Sequence, residues 1–152
     1  MLKTTPTKIR EATEDDIFDI LVLAKEFSKE APSTHTWNKE KTEAFLNSAL
    51  LAPNMCIFVI DNDGEIEGAI VGIVAEVFIS HRVLATELAW FVSEEYRGKT
   101  SSIRLVKRYE DWAKEMGANS VCMSDISQVS DLEKLYNRLG YQRSESVYLK
   151  EI

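Results

Sequence analysis

Apolar residues recur at helical spacing from Ile17 through Ile20, Leu21 and Ala24 to Phe27. That periodicity predicts an amphipathic helix running to about Lys29. Thr13 stands in a capping position, and Glu14, Asp15 and Asp16 suit the positive end of the helix dipole. A second helix is predicted from an Asn38 cap, with Phe45, Leu46, Ala49 and Leu50 on its apolar side and Pro53-Asn54 ending it. The pattern then changes. Lys8–Glu11, Met55–Ile60, Ile66–Phe78, Thr86–Val92, Ser120–Ser124 and Tyr141–Lys150 read as strands. Asp61-Asn62-Asp63-Gly64 reads as a hairpin turn, because Asn, Asp and Gly tolerate positive φ. Gly68 and Gly72 mark bends or bulges in the long strand between them. Thr100–Met116 is predicted helical and closed by Gly117, and a last helix capped by Ser130 or Asp131 ends at Gly140. Strands thus come first as hairpins and later alternate with helices, which predicts an α/β fold with helices on both faces of a mixed sheet.

The remaining sequence narrows this picture. The 152 residues suit one domain spanning 1–152, with no repeat or linker. The net charge of −7 argues against direct nucleic-acid binding, which needs clustered Lys and Arg, and permits a cationic substrate. Cys56 and Cys122 sit in apolar runs, as buried free thiols do in a reducing compartment. No metal-ligand spacing is present. The polar start of the chain lacks a signal-peptide core, and no apolar run approaches the roughly 18 residues that span a bilayer. These features predict a cytoplasmic protein without membrane contact.

The segment with most chemical content is Val92-Ser93-Glu94-Glu95-Tyr96-Arg97-Gly98-Lys99-Thr100-Ser101-Ser102, a polar loop between a strand and a long helix. A helix N-terminus offers free N–H groups and a positive dipole end, which together bind phosphate. Arg97 and Lys99 add charge, and Gly98 allows close approach of a ligand. Gly98-Lys99-Thr100 also looks like the end of a P-loop, with Val121–Asp125 as its Mg²⁺ strand. Ser93 stands where that motif has its first glycine, which sets the P-loop aside.

The same loop resembles the fingerprint of the GNAT acetyltransferases, Arg/Gln-x-x-Gly-x-Gly/Ala, often preceded by Val-x-Pro-Glu-Tyr-Arg-Gly-Lys. Thr100 replaces the first motif glycine, and Ser102 the Gly or Ala. Leu135-Tyr136 and Gly140-Tyr141 are similar to the family's Leu-Tyr-x-x-x-Gly-Phe/Tyr ending, and Ile9-Arg10-x-Ala12 with Asp16 resembles its opening. The family's Asn before that Tyr is absent, with Val129 in its place and Leu132 at the accompanying Ala. The resemblance implies a GNAT-type mixed sheet of about six or seven strands flanked by about four helices. It implies N-acetyl transfer from acetyl-CoA, as co-substrate, to a primary amine of a small molecule or protein. The alternative on the same fold is a catalytically weak or inactive acyl-CoA-binding or protein-interaction module. Dimerisation is common in the family, which leaves a homodimer open.

By the same resemblance, backbone groups of Phe91 and Val92 contact the acetyl and pantetheine portions, and backbone N–H groups of Arg97, Gly98, Lys99, Thr100, Ser101 and Ser102 hold the pyrophosphate. Tyr136 is the candidate general acid, because attack on a thioester expels a thiolate that a phenol can protonate or hydrogen-bond. Glu87 is the candidate base. Strict alternation along its strand puts Glu87, Ala89 and Phe91 on one face and Leu88, Trp90 and Val92 on the other. His35 and His81 fall in loops, and Trp37 and Trp90 read as packing residues.

Overall fold

Four strands form an antiparallel meander: β1 (Lys8–Glu11), β2 (Met55–Asn62), β3 (Glu65–Glu76) and β4 (Val83–Val92). They belong to a computed structural model that describes residues 6–30, 36–126 and 132–152. The β2–β3 turn is Asp63-Gly64, both at positive φ (52° and 91°), and the Asp61 carboxylate accepts the Gly64 N–H at 2.7 Å. Positive φ at both central residues matches the right-handed twist of the paired strands.

After β4 the chain turns into α3 (Thr100–Glu115), crosses the sheet and returns as β5 (Ser120–Cys122), parallel to β4. Parallel pairing requires such a crossover. The sheet order is therefore β1-β2-β3-β4-β5. Helices α1 (Ile17–Glu30) and α2 (Lys39–Leu51) cover one face, burying Ile20, Leu23, Leu46 and Ala49 against Ile57, Val59, Val71 and Phe91. Helix α3 covers the other, burying Leu105, Tyr109 and Trp112 against Phe58, Ile60, Ile70 and Val92. The last helix, α4 (Leu132–Arg138), lies on the α3 side, where Tyr136 meets Trp90 with ring centroids 6.2 Å apart.

Most predicted elements form within a residue or two of their expected bounds, and Asn38 caps α2 by accepting the Lys41 N–H. Before α1, Thr13 is the N-cap of a short 3-10 turn, Glu14–Asp16, and forms a capping box with Asp16 in which its N–H donates to Asp16 Oδ2 at 2.8 Å. Two expectations need correction. Among the described residues the sheet has five strands, not six or seven. The predicted strand Tyr141–Lys150 is not one: the segment carries no ladder, and Val147, Tyr148 and Leu149 are exposed. β-propensity reports fit to a pleated, half-buried surface, and here only the three residues of β5 end the sheet on that side. The caps expected at Ser130 or Asp131 lie outside the described residues.

The opening motif has a structural explanation. The Arg10 guanidinium on β1 grips both oxygens of Asp16 at 2.7 and 2.8 Å and Asp61 on β2 at 2.8 Å. One side chain thereby ties the first strand, the turn before α1 and the β2–β3 hairpin. Both carboxylates are held below their usual range, first by the Arg10 hydrogen bonds.

The two strand glycines sit beside bulges. Ile60 pairs with Gly68 but Asp61 with Ile66, which leaves Glu67 as the extra residue of β3. Val71 pairs with Ala89 but Gly72 with Glu87, which leaves Leu88 as the extra residue of β4. At Gly72 a Cβ would stand 2.5 Å from the ring of Tyr109, a fully buried side chain.

Two outcomes follow for stability. Gly72→Ala should cost about 1–3 kcal/mol in urea unfolding, the range for overpacking a core. Arg10→Ala should cost about 1–2 kcal/mol near neutral pH, as partly solvated charged hydrogen bonds do. Because Asp16 and Asp61 have depressed values when folded, their contribution is present above the ordinary carboxylate pKa and fades as pH falls through the folded one. The gap between wild type and Arg10→Ala should therefore shrink below about pH 4.

Candidate functional site

The bulge at Leu88 decides which way Glu87 faces. Before it, Ala85 belongs to the core under α3, and Glu87 two residues later shares that side. After it, Trp90 and Val92 face α3 while Phe91 packs under α1 and α2. The alternation expected from sequence is thus broken by one residue: Glu87 shares a face with Trp90 and Val92, not with Phe91.

Glu87 is buried. Its Oε2 accepts the backbone N–H of Ser124 at 3.0 Å. Burial pushes its carboxyl up to about 7, and the Ser124 N–H opposes the rise. The Tyr136 hydroxyl donates to the carbonyl of the same Ser124 at 2.7 Å. Burial, then the charge of Glu87, pushes the Tyr136 phenol well above its ordinary value, so it remains an O–H donor. Tyr109 of α3 completes the cluster, its hydroxyl donating to the Cys122 carbonyl at 3.2 Å. The structure therefore brings the two candidate catalytic side chains, Glu87 and Tyr136, to one residue that the sequence did not single out. Nothing local marks Ser124, which stands 37 positions from Glu87.

This meeting point lies where β4 and β5 part. Their pairing ends at Thr86–Cys122. From Glu87 to Val92, the β5-side edge of β4 has no strand partner among the described residues. Ser93 donates its N–H to Glu67 on β3, so by alternation Phe91 turns its backbone to β3, while Trp90 and Val92 turn theirs to the open edge. The Trp90 side chain packs against the α3-side core, as its sequence suggested, while its backbone faces the open edge. Its indole Nε1 is buried with no hydrogen-bond partner among the described residues.

The loop after β4 makes a single 3-10 turn, Glu94–Tyr96, before α3. The N-terminus of α3 has no side-chain cap and no acidic residue in its first turn, and Ser101 and Ser102 are buried there. Gly98 has φ +81°, a conformation open to glycine. Thr100 is the first helical residue and needs no such freedom, which explains how a β-branched side chain fits at the motif position. Lys99 Nζ stands 4.8 Å from the Tyr96 ring. Arg97 is a strut: Nε donates to the Val92 carbonyl at 2.8 Å, Nη2 pairs with Glu30 at 2.7 Å, and the guanidinium lies over Phe91.

Other candidates stand apart. His81 is fully exposed, 3.8 Å from the Glu76 carboxylate, and His35 lies outside the described residues. A cavity of about 560 Å³ between α1, the β2–β3 hairpin and Tyr96 is lined by Asp19, Glu26, Glu65 and Glu95, with neither Glu87 nor Tyr136 in its wall. Among the described residues no His, Cys, Asp and Glu cluster could hold a metal ion, and no helix is long and apolar enough to cross a membrane.

Comparisons with known proteins identify the family and the fold. The sequence model of the acetyltransferase (GNAT) family matches residues 15–141. No curated protein matches the chain. In fold the chain is similar to AAC(6')-Iy in complex with the bisubstrate analog CoA-S-monomethyl-acetylneamine, at 15% identity over 97% of this chain and 99% of that one, with a TM-score of 0.81. It is similar to a transcriptional regulator from Bacillus halodurans at 19% identity over 97% and 100%, with a TM-score of 0.81. A putative acetyl transferase from Pyrococcus furiosus matches at 23% identity over 97% and 100%, with a TM-score of 0.77.

The raised carboxyl of Glu87 has a measurable consequence. A folded value above the ordinary one near 4.5 gives stability that is complete below 4.5 and lost as pH rises through about 7. Glu87→Gln keeps an acceptor for Ser124 but has no proton to lose. Between about pH 5 and about pH 8, the urea midpoint of wild type should fall relative to that variant; parallel curves would place Glu87 in a solvated setting instead.

Proposed function

The chain belongs to the GNAT acetyltransferase family, and from that premise we propose that it moves an acetyl group from acetyl-CoA to a primary amine by direct attack. The observation that carries this reading is the convergence of the Glu87 carboxyl and the Tyr136 hydroxyl on Ser124, where β4 and β5 part. The surroundings fit an extended thioester ligand. The backbone of Trp90 and the N–H of Val92 lie along an open strand edge, which an extended chain can pair with as a strand would; the Val92 carbonyl is taken by Arg97. The N-terminus of α3 offers the Thr100 and Ser101 N–H groups and a positive dipole end for a pyrophosphate, with Lys99 beside it and the Ser102 N–H turned back to the Lys99 carbonyl at 3.2 Å. Arg97 serves this site by fixing the loop rather than by touching phosphate.

Acetyl-CoA supplies an activated acyl carbon whose C–S bond breaks as the new C–N bond forms. Glu87, with a carboxyl near 7, is matched to take the proton from the attacking amine, directly or through a water. Tyr136 holds its proton far more tightly than a thiol, which ionises near about 8.5. Its hydroxyl therefore acts by donating a hydrogen bond to the leaving thiolate rather than by complete proton transfer. The net charge of −7 suits a cationic acceptor.

One observation favours the second reading, a non-catalytic acyl-CoA-binding or interaction module. The only arginine of the loop motif commits two of its five N–H donors to Glu30 and Val92.

Calorimetry with acetyl-CoA, followed by a thiol-release assay over a panel of amines, separates the two. Turnover on an amine establishes the enzyme. Binding without turnover selects the module, and no binding at millimolar acetyl-CoA removes both. In the enzyme, Tyr136→Phe should slow turnover ten- to a hundredfold with little change in cofactor affinity, toward the lower end of general-acid effects. An unchanged rate would take Tyr136 out of the mechanism. The rate should rise with pH to a plateau, with its midpoint near 7, and Glu87→Gln should abolish that limb.

A further inference from the structure

Ser124 lies two residues beyond the end of β5. Its N–H and its carbonyl are both engaged, one by Glu87 at 3.0 Å and the other by Tyr136 at 2.7 Å. Both bonds belong to the backbone. We propose that Ser124 is the positioning residue of the transfer site, fixing the base and the phenol relative to one another and to the open edge of β4 through its main-chain atoms alone. This rests on the reading of Glu87 and Tyr136 given above.

The arrangement makes the two groups respond to each other. An N–H donor binds an ionised carboxylate more strongly than a neutral carboxylic acid. Ser124 therefore favours the charged, proton-accepting form of Glu87 against the cost of burial. When the amine proton reaches Glu87, that bond weakens and the tether on Ser124 loosens. The Tyr136 hydroxyl must leave the Ser124 carbonyl to serve the sulfur that receives the C–S electron pair, and the loosening comes at that moment. The tyrosines and thiols around Glu87 are neutral near pH 7. Tyr109 on α3 and Tyr136 on α4 are raised by burial, as are Cys56 on β2 and Cys122 on β5. Asp125 acts on Tyr136, and Glu145 on Cys122, from exposed positions. Of Glu87, these two tyrosines and these two thiols, Glu87 is the one whose pKa falls near neutrality.

Two measurements test this. The first is the amide resonance of Ser124 followed against pH in the whole protein. It should move with a midpoint near 7 in wild type and stay flat in Glu87→Gln; a flat wild-type curve overturns the proposal. This readout needs no substrate, so it stands or falls separately from the acetyltransferase assignment. The second replaces Ser124 by its α-hydroxy acid, which removes the N–H and keeps the hydroxymethyl group and the carbonyl. Loss of a hydrogen bond to a charge should raise the midpoint of the rate profile by about one pH unit, with KM for acetyl-CoA little changed. An unmoved midpoint, with turnover retained, overturns the positioning role. If the ester variant does not fold, the amide titration decides alone.

Discussion

A carboxylate takes the hydrogen bond that a strand would otherwise have made. Past Thr86–Cys122, the N–H of Ser124 finds the Glu87 side chain and not a β4 carbonyl. The parallel ladder ends there, and β4 runs on from Glu87 to Val92 without a strand partner on that side among the described residues. The same bond keeps a buried acid from being left without a partner, a loss that costs more than most interactions contribute. Opening of the sheet and tuning of the acid are one event.

The bulge at Leu88 is the geometric condition for that event. Without the extra residue, Glu87 would share the face of Ala89 and Phe91, under the apolar side of α1 and α2. With it, Glu87 faces α3, where Tyr109, Tyr136 and the backbone of Ser124 are within reach. The neighbouring Gly72 lets the Tyr109 ring close over β3, and the Tyr109 hydroxyl in turn holds the Cys122 carbonyl. A bulge, a missing Cβ and two tyrosine hydroxyls therefore set the distance between the strands.

The loop after β4 divides its labour differently from its letters. Gly98 supplies a positive φ and α3 supplies an uncapped N-terminus without acidic residues. Arg97 supplies mechanical support, bridging the strand end to Glu30 on α1. The Arg10 clamp plays the same part at the other end of the sheet. In both motifs the arginine orders the backbone that other groups use.

The sequence by itself determined the element types, because hydrophobic period and capping are local properties: the bounds of β1, the Asn38 cap, the Asp63-Gly64 turn and the Gly117 stop were all legible. The position of the loop before a long helix singled out the α3 N-terminus as a candidate anion site, and the family resemblance singled out Glu87 and Tyr136 as candidates. Tertiary structure alone decided the rest. Which face Glu87 takes depends on one bulge residue, which shifts a period-2 pattern without changing its composition. That Tyr141–Lys150 is not a strand depends on the neighbour it lacks, since a strand is made by its partner as much as by its own residues. Ser124 could not be read at all, because the groups it contributes are a backbone N–H and a carbonyl, which every residue but proline has and only the fold places.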